Sequence, residues 1–354
     1  MINFQIPKYV KIFFFLAIAI MLCYSLSAAR EILIPLSLAV FFTFLLFPIS
    51  DWLQTKRWPK SLAILVSILV ALIVVVGLLY FFIYQILSFK EDLPELENSL
   101  KAKLEELQSF IETRARFSRK EQTLWMDQKV TDLGNDASSY IMNIFSATGA
   151  VLADLALIPI YIFFITYYSD RFRHFVSLLT ENQYHEKIFS IMNKVSKVSQ
   201  LYIKGILIDI LILSVLNSTG FLLLGLEHAI LFGTLAAFLN IVPYVGVMIG
   251  SIFPIIIALL TKDSAWYAVG VIGVCAFVQF LDNNFITPKV VGSSVSINPL
   301  AATVALIIGA SLWGVMGMIL FIPITGMIKV LCDNITQLQP YGYLLGEEET
   351  VEKH

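Results

Sequence analysis

The chain has 354 residues, of which 58% are hydrophobic and only 14% charged, with a net charge of −2 and a mean hydropathy of +0.81. A soluble domain carries about 25% charged residues, so this composition excludes an ordinary soluble fold. The slight negative charge speaks against nucleic acid as a partner.

The apolar excess is gathered into long runs, as an all-α, polytopic transmembrane protein requires. Lys8 and Lys11 precede a first run that ends in Ser25-Leu26-Ser27-Ala28-Ala29. It is long for a secretory leader and a second run follows at once, so it reads as a retained helix over 10–29. Arg30-Glu31 is expected to be a tight turn. A second span covers 32–49, with Pro35 in its first turn, where a missing N–H does no harm. Residues 51–60 carry Lys56, Arg57 and Lys60, with Trp52 and Trp58 at headgroup level. The positive-inside rule makes this loop cytoplasmic and places the N-terminus inside. The third span is 61–87.

Residues 89–140 change character. Leu93, Leu96, Leu100, Leu104, Leu107 and Ile111 follow helical spacing, with Lys101, Lys103, Glu105, Glu106 and Glu112 on the other face. This pattern predicts an amphipathic or coiled-coil helix, external by span counting. Its apolar face is either an oligomer contact or a cap on its own protomer. The fourth span, 140–168, returns the chain inside. Residues 170–200 read as a helix along the inner surface, and the fifth span is 202–226.

The last third does not divide into simple spans. Residues 229–260 are interrupted by Asn240 and Pro243, and 299–331 by Ser311-Leu312-Trp313-Gly314-Val315-Met316-Gly317. A spanning helix needs about 20 residues, so each stretch is too long for one span and too short for two. Each reads as a helix–break–helix hairpin. The first enters from outside and the second from inside, with a full span at 264–281 and a polar loop at Asp282–Gly292 between them. Paired interrupted hairpins are a recurrent transporter device. The GxxxG of Gly246 and Gly250 permits close helix approach. Helix ends at such a break can hold an anion on their amides or a cation on their carbonyls.

No Walker A, GxGxxG or HExxH is present. The four histidines lack metal-ligand spacing, and no Ser, His and acid share a catalytic context. The expectation is a non-enzyme without cofactor or metal. Cys23, Cys275 and Cys332 read as small apolar core residues. Ionisable groups within spans are functional candidates by default. Asp209 and Asp154 are therefore candidates for proton or cation coupling. Gln279 is expected to join the polar group of Asp282, Asn283 and Asn284, with Asn240 as a further hydrogen-bonding residue. Lys329 and Asp333 are expected to pair at i,i+4.

At this point the sequence resembles the AI-2E (autoinducer-2 exporter) transporter family. The resemblance rests on Asn240 through Gly246 with Pro254, on Asp282 through Gly292 with Pro288, and on Asn298-Pro299. Gly309 through Gly317 with Pro323, and Ile34 through Ala39 with Pro48, also match. It covers nearly the whole chain, although 89–140 matches only in placement. It implies a secondary transporter of the bacterial inner membrane that exports a small polar signalling metabolite or exchanges sodium or lithium for protons. It also implies a homo-oligomer, pentameric in the family, whose hairpins form the mobile unit. No residue roles are carried over. The hairpin and hinge positions Pro243, Gly246, Gly250, Pro254, Pro288, Gly292, Pro299, Gly309, Gly314, Gly317 and Pro323 are motif positions.

The expected organisation is three helices in 1–88, the external segment 89–140, the fourth span with its interfacial helix in 141–200, a transport core in 201–335 and a cytoplasmic tail in 336–354. Asp282–Gly292 reads as an inner gate, with solute bound at the two hairpin breaks. Monovalent cation/proton antiport is the first alternative, and a membrane scaffold that recruits partners through 89–140 is the second. The expected partners are the lipid bilayer and a small polar solute or monovalent cation.

Overall fold

The computed structural model describes residues 7–115, 157–242, 245–292 and 296–347. Asp154 and Pro243, both candidates above, lie outside them, as do residues 116–140 of the external segment. Among the described residues the structure is helical, with one isolated backbone bridge, between Ile297 and Gly346. Six helices there are long and apolar enough to cross a membrane, and three shorter apolar helices accompany them.

In chain order the helices are α1 (Lys8–Ala28), α2 (Arg30–Thr55), α3 (Lys60–Ala115), α4 (Leu157–Tyr167), α5 (Ser169–Leu178) and α6 (His185–Leu223). They continue with α7 (Ala229–Leu239), α8 (Val245–Thr261), α9 (Trp266–Leu281), α10 (Pro299–Asn334) and α11 (Gln339–Leu345). Several expected boundaries move. The turn between α1 and α2 is Ala29 alone, and Arg30-Glu31 opens α2. The third span does not stop before the heptad-spaced stretch, because α3 runs through both as one helix of 56 residues that absorbs Pro94. The inner-surface helix expected over 170–200 is divided between α5 and the start of α6, which continues into the fifth span. In α3 and α6 alike, the change between amphipathic and apolar composition leaves the helix unbroken, in α3 in spite of Pro94.

The chain forms two compact units, one of Met1–Ile68, Leu155–Ile203 and Ser294–His354, the other of Leu69–Asp154 and Lys204–Ser293. In the first, α2 packs on α4 and on α10. Phe41, Trp313 and Leu320 form a buried cluster, with Leu33, Ile34 and Ile203 against it. The Trp313 indole donates to the Leu26 carbonyl at 3.0 Å, tying α10 to α1. Lys329 pairs with Asp333 at 2.6 Å, as the spacing predicted. Cys332 is buried, but Cys23 is exposed, against expectation, because α1 buries no residue and its apolar side chains are left for lipid.

In the second unit, α8 packs on α7 and α9. Phe221, Leu226, Phe232, Ile257 and Val271 build its main cluster, joined by Phe89 and Leu96 of α3. His228 caps the start of α7 with a left-handed backbone (φ 52°) and pairs with Asp92 at 2.5 Å. Within lipid, association relies on close packing rather than on the hydrophobic effect. Small residues serve that need: a Cβ on Gly250 would stand 2.8 Å from the Ala236 Cα, and one on Gly205 would stand 2.5 Å from the Val290 carbonyl oxygen.

Candidate functional site

Both interrupted stretches are helical hairpins. In the second unit, α7 ends at Leu239 and α8 starts at Val245, and the backbone of Gly246 lies directly on the Leu239 carbonyl. Pro254 is fully buried in α8. In the first unit, α10 reverses at Gly314, whose φ of 62° and ψ of −140° are not helical. Gly309 and Gly317 meet backbone to backbone across this turn. A straight helix would hold them about 12 Å apart. Pro299 opens α10 behind Asn298, whose Oδ1 accepts from the Ala301 N–H at 2.8 Å, and Pro323 is fully buried in the returning arm.

Asp282–Gly292 is not the loop its composition suggested. It continues α9 as two π-helical segments, Asp282–Ile286 and Pro288–Gly292. Proline at the start of the second segment removes a backbone donor, and the wider turn absorbs the extra residue. π turns inside helices are frequent at functional sites.

The wide turn places a buried carboxylate. Asp282 is only 3% exposed. Its Oδ2 accepts from Asn240 Nδ2 at 2.9 Å and Gln279 Nε2 at 3.2 Å, and its Oδ1 accepts from the Thr287 hydroxyl at 2.6 Å. Three places supply these donors: the tip of the first hairpin, the end of α9 and the residue between the two π segments. Gln279 also donates to Asn283 Oδ1 at 3.0 Å. Asn284 stays apart and donates to the Phe280 carbonyl, a local i−4 bond.

Asp209, midway along α6, lies against Asp282, close enough for one carboxylate to hydrogen-bond the other through a shared proton. Its Oδ1 is buried and meets no donor among the described residues. Two carboxylates in contact and partly shielded from water favour a proton or a cation between them.

Beside this pair is a cavity of about 20 Å³, lined by Asn217, Asn240, Ser251 and Gln279 among others. Asn240 and Gln279 spend their amide N–H groups on Asp282 and Asn283, which leaves their carbonyl oxygens for other partners. The Ser251 hydroxyl donates to the Met248 carbonyl, so its lone pairs remain. A space of this size holds one water or one bare monovalent ion.

Of the sequence candidates, the structure brings together Asp209, Asn240, Gln279 and Asn283. Asp282, Thr287 and Asn217 were missed as site residues. Asp282 carried a usable signal, a carboxylate at the end of an apolar run, three residues after Gln279.

A sequence profile described as AI-2E family transporter matches residues 12–337. Among curated relatives, "Putative transport protein YrrI" of Bacillus subtilis is 26% identical over 315 residues, 88% of each chain. "AI-2 transport protein TqsA" of Escherichia coli is 21% identical over 346 residues, covering 95% of this chain and 96% of that protein. With paired helical hairpins, a membrane-spanning helical fold and a profile match across almost its whole length, the chain belongs to the AI-2E transporter family.

Proposed function

We propose that the protein is an ion-coupled secondary transporter of the bacterial inner membrane, with Asp209 and Asp282 as its coupling pair and a small polar metabolite as its exported cargo. The observation that carries this reading is the donor-less Oδ1 of Asp209 beside the saturated carboxylate of Asp282. Asp282 is held by three donors, so Asp209 is the partner that takes up and releases the coupling ion. One of those donors, Asn240, stands at the end of α7 beside the hairpin tip. A proton or cation arriving at the pair weakens that hydrogen bond and frees the tip to move, which links ion occupancy to alternating access. The name of TqsA supports a cargo like autoinducer-2. Assembly as a homo-oligomer, a pentamer by family resemblance, belongs to the same reading.

Asp209→Asn tests it. Purified protein in proteoliposomes is expected to lose flux driven by a pH or sodium gradient while keeping its helical content. Gradient-driven flux equal to the unsubstituted protein's removes Asp209 from the mechanism.

The side-chain oxygens of Asn217, Asn240, Ser251 and Gln279 in this otherwise apolar cavity favour a second reading, sodium or lithium/proton antiport. Proton release on adding sodium to vesicles that contain no organic solute supports antiport. Proton movement only when a metabolite is present supports cargo export.

A further inference from the structure

A larger cavity, of about 290 Å³, lies wholly within the first unit, between α2, α4, α5 and α6. It shares no residue with the carboxylate pair. Its walls divide by chemistry. Phe44, Phe47, Phe172 and Met192 are apolar, and Phe47 and Phe172 are exposed. Thr43, Arg173, Asn193, Ser196 and Gln200 are polar.

Two hydrogen-bonding groups in this wall are unspent. The Thr43 hydroxyl belongs to a side chain only 5% exposed and has no partner among the described residues. A buried polar atom left unpaired is costly, so such atoms mark places where a ligand or water belongs. Pro48 lies inside α2 and has no N–H, which frees the carbonyl of Phe44, four residues earlier. The cavity therefore offers one donor and one acceptor at its helical wall.

The rim supplies charge. Arg173 donates to Asn193 Oδ1 at 2.8 Å, which uses one of its five N–H groups and leaves the Asn193 amide N–H group to other partners. The acid in the wall, Asp170, is held by Lys60 at 2.6 Å. A guanidinium with free donors beside a neutralised acid favours an anion. The sequence makes this the cytoplasmic surface, and α5 exposes Phe172, Phe175 and Leu178 with Arg171 and Arg173 between them. That is the composition of a helix lying in the membrane interface.

We propose that this cavity is a binding site for one anionic phospholipid whose headgroup carries hydroxyls, of the phosphatidylglycerol type. The phosphate sits on Arg173 and the Asn193 amide. Headgroup hydroxyls donate to the freed Phe44 carbonyl, and an ester oxygen accepts from Thr43. The cavity is far too small for two acyl chains, which leave it over exposed Phe47 and Phe172 into the bilayer. A cavity between helices on the inner side that presents a guanidinium at its rim suits such headgroups. A free organic phosphate carries the same charge but lacks the chains.

The test is native mass spectrometry of the full-length protein in detergent. It is titrated with phosphatidylglycerol, phosphatidylcholine and glycerol 3-phosphate, for the unsubstituted protein and for Arg173→Gln and Thr43→Val. One phosphatidylglycerol is expected to be retained, about tenfold less tightly in Arg173→Gln and several-fold less tightly in Thr43→Val. Phosphatidylcholine is expected to bind weakly and equally to all three. Arg173 is on the surface, so its substitution leaves folding intact. The proposal is overturned if phosphatidylglycerol and phosphatidylcholine are retained alike, or if neither substitution changes retention. It is also overturned if glycerol 3-phosphate binds as tightly as the lipid, which would make the cavity a soluble-anion site.

Discussion

Gly309 and Gly317 are eight residues apart in α10, yet each occupies the space that the other's Cβ would need. The obstruction on both sides is backbone, which cannot swing away as a side chain can. Gly309→Ala and Gly317→Ala are therefore each expected to destabilise the protein by about 1–3 kcal/mol, the range for overpacking. Thermal unfolding in detergent measures this. Gly77→Ala is the control, since nothing lies within 4 Å of a Cβ there. Equal midpoints for the Gly309 and Gly77 variants would contradict the reversal of α10.

Gly314 makes a different prediction, because a Cβ there meets nothing within 4 Å. Its cost comes only from a backbone conformation, φ 62° and ψ −140°, that L side chains rarely adopt. Gly314→Ala is expected to lower stability by about 1–2 kcal/mol, and Gly314→Pro by more. A stabilising Gly314→Ala would show that the turn is not held in this conformation.

The two carboxylates respond differently to the same substitution. Asp282→Asn replaces an oxygen that accepts hydrogen bonds with an amide that cannot, and is expected to cost about 3 kcal/mol. Asp209→Asn keeps a donor against Asp282 and removes a like charge, so it should leave stability unchanged or raise it. Denaturant titration of both variants at neutral pH checks the signs. Two losses of similar size would mean that Asp209 has a partner of its own.

Asn298 caps α10 and also holds the C-terminal segment, since its Nδ2 donates to the Leu344 and Gly346 carbonyls at 2.8 and 3.0 Å. Asn298→Ala should therefore cost about 2 kcal/mol, at the upper end for a lost cap. It should also release α11 to proteolysis at a protease dose that the unsubstituted protein survives. Loss of stability without faster cleavage near residue 345 would limit Asn298 to its capping role.

Much of the architecture was legible because the bilayer constrains it so tightly. Length and interruption alone gave both hairpins and placed the second break within three residues of Gly314. Polar composition misled at Asp282–Gly292, where asparagines, a proline and a glycine signal a loop. Side-chain and neighbouring backbone groups satisfy the wide turns instead, and that compensation is tertiary. The carboxylate pair was half legible. Asp209 stands out as an acid in a span, but its partner is 73 positions away (282 − 209), and one sequence carries no sign of which acid it meets.

The uninterrupted α3 gives the protein a built-in pointer. From Leu69 to Lys103, within the second unit, the helix runs about 50 Å at its usual rise per residue. Each degree of tilt at one end of this stretch displaces the other by about 1 Å by the same geometry. A probe attached near residue 100 thus amplifies rotations too small to see at the carboxylates themselves. Tilting of the helix becomes readable at its far end without a probe at the carboxylates.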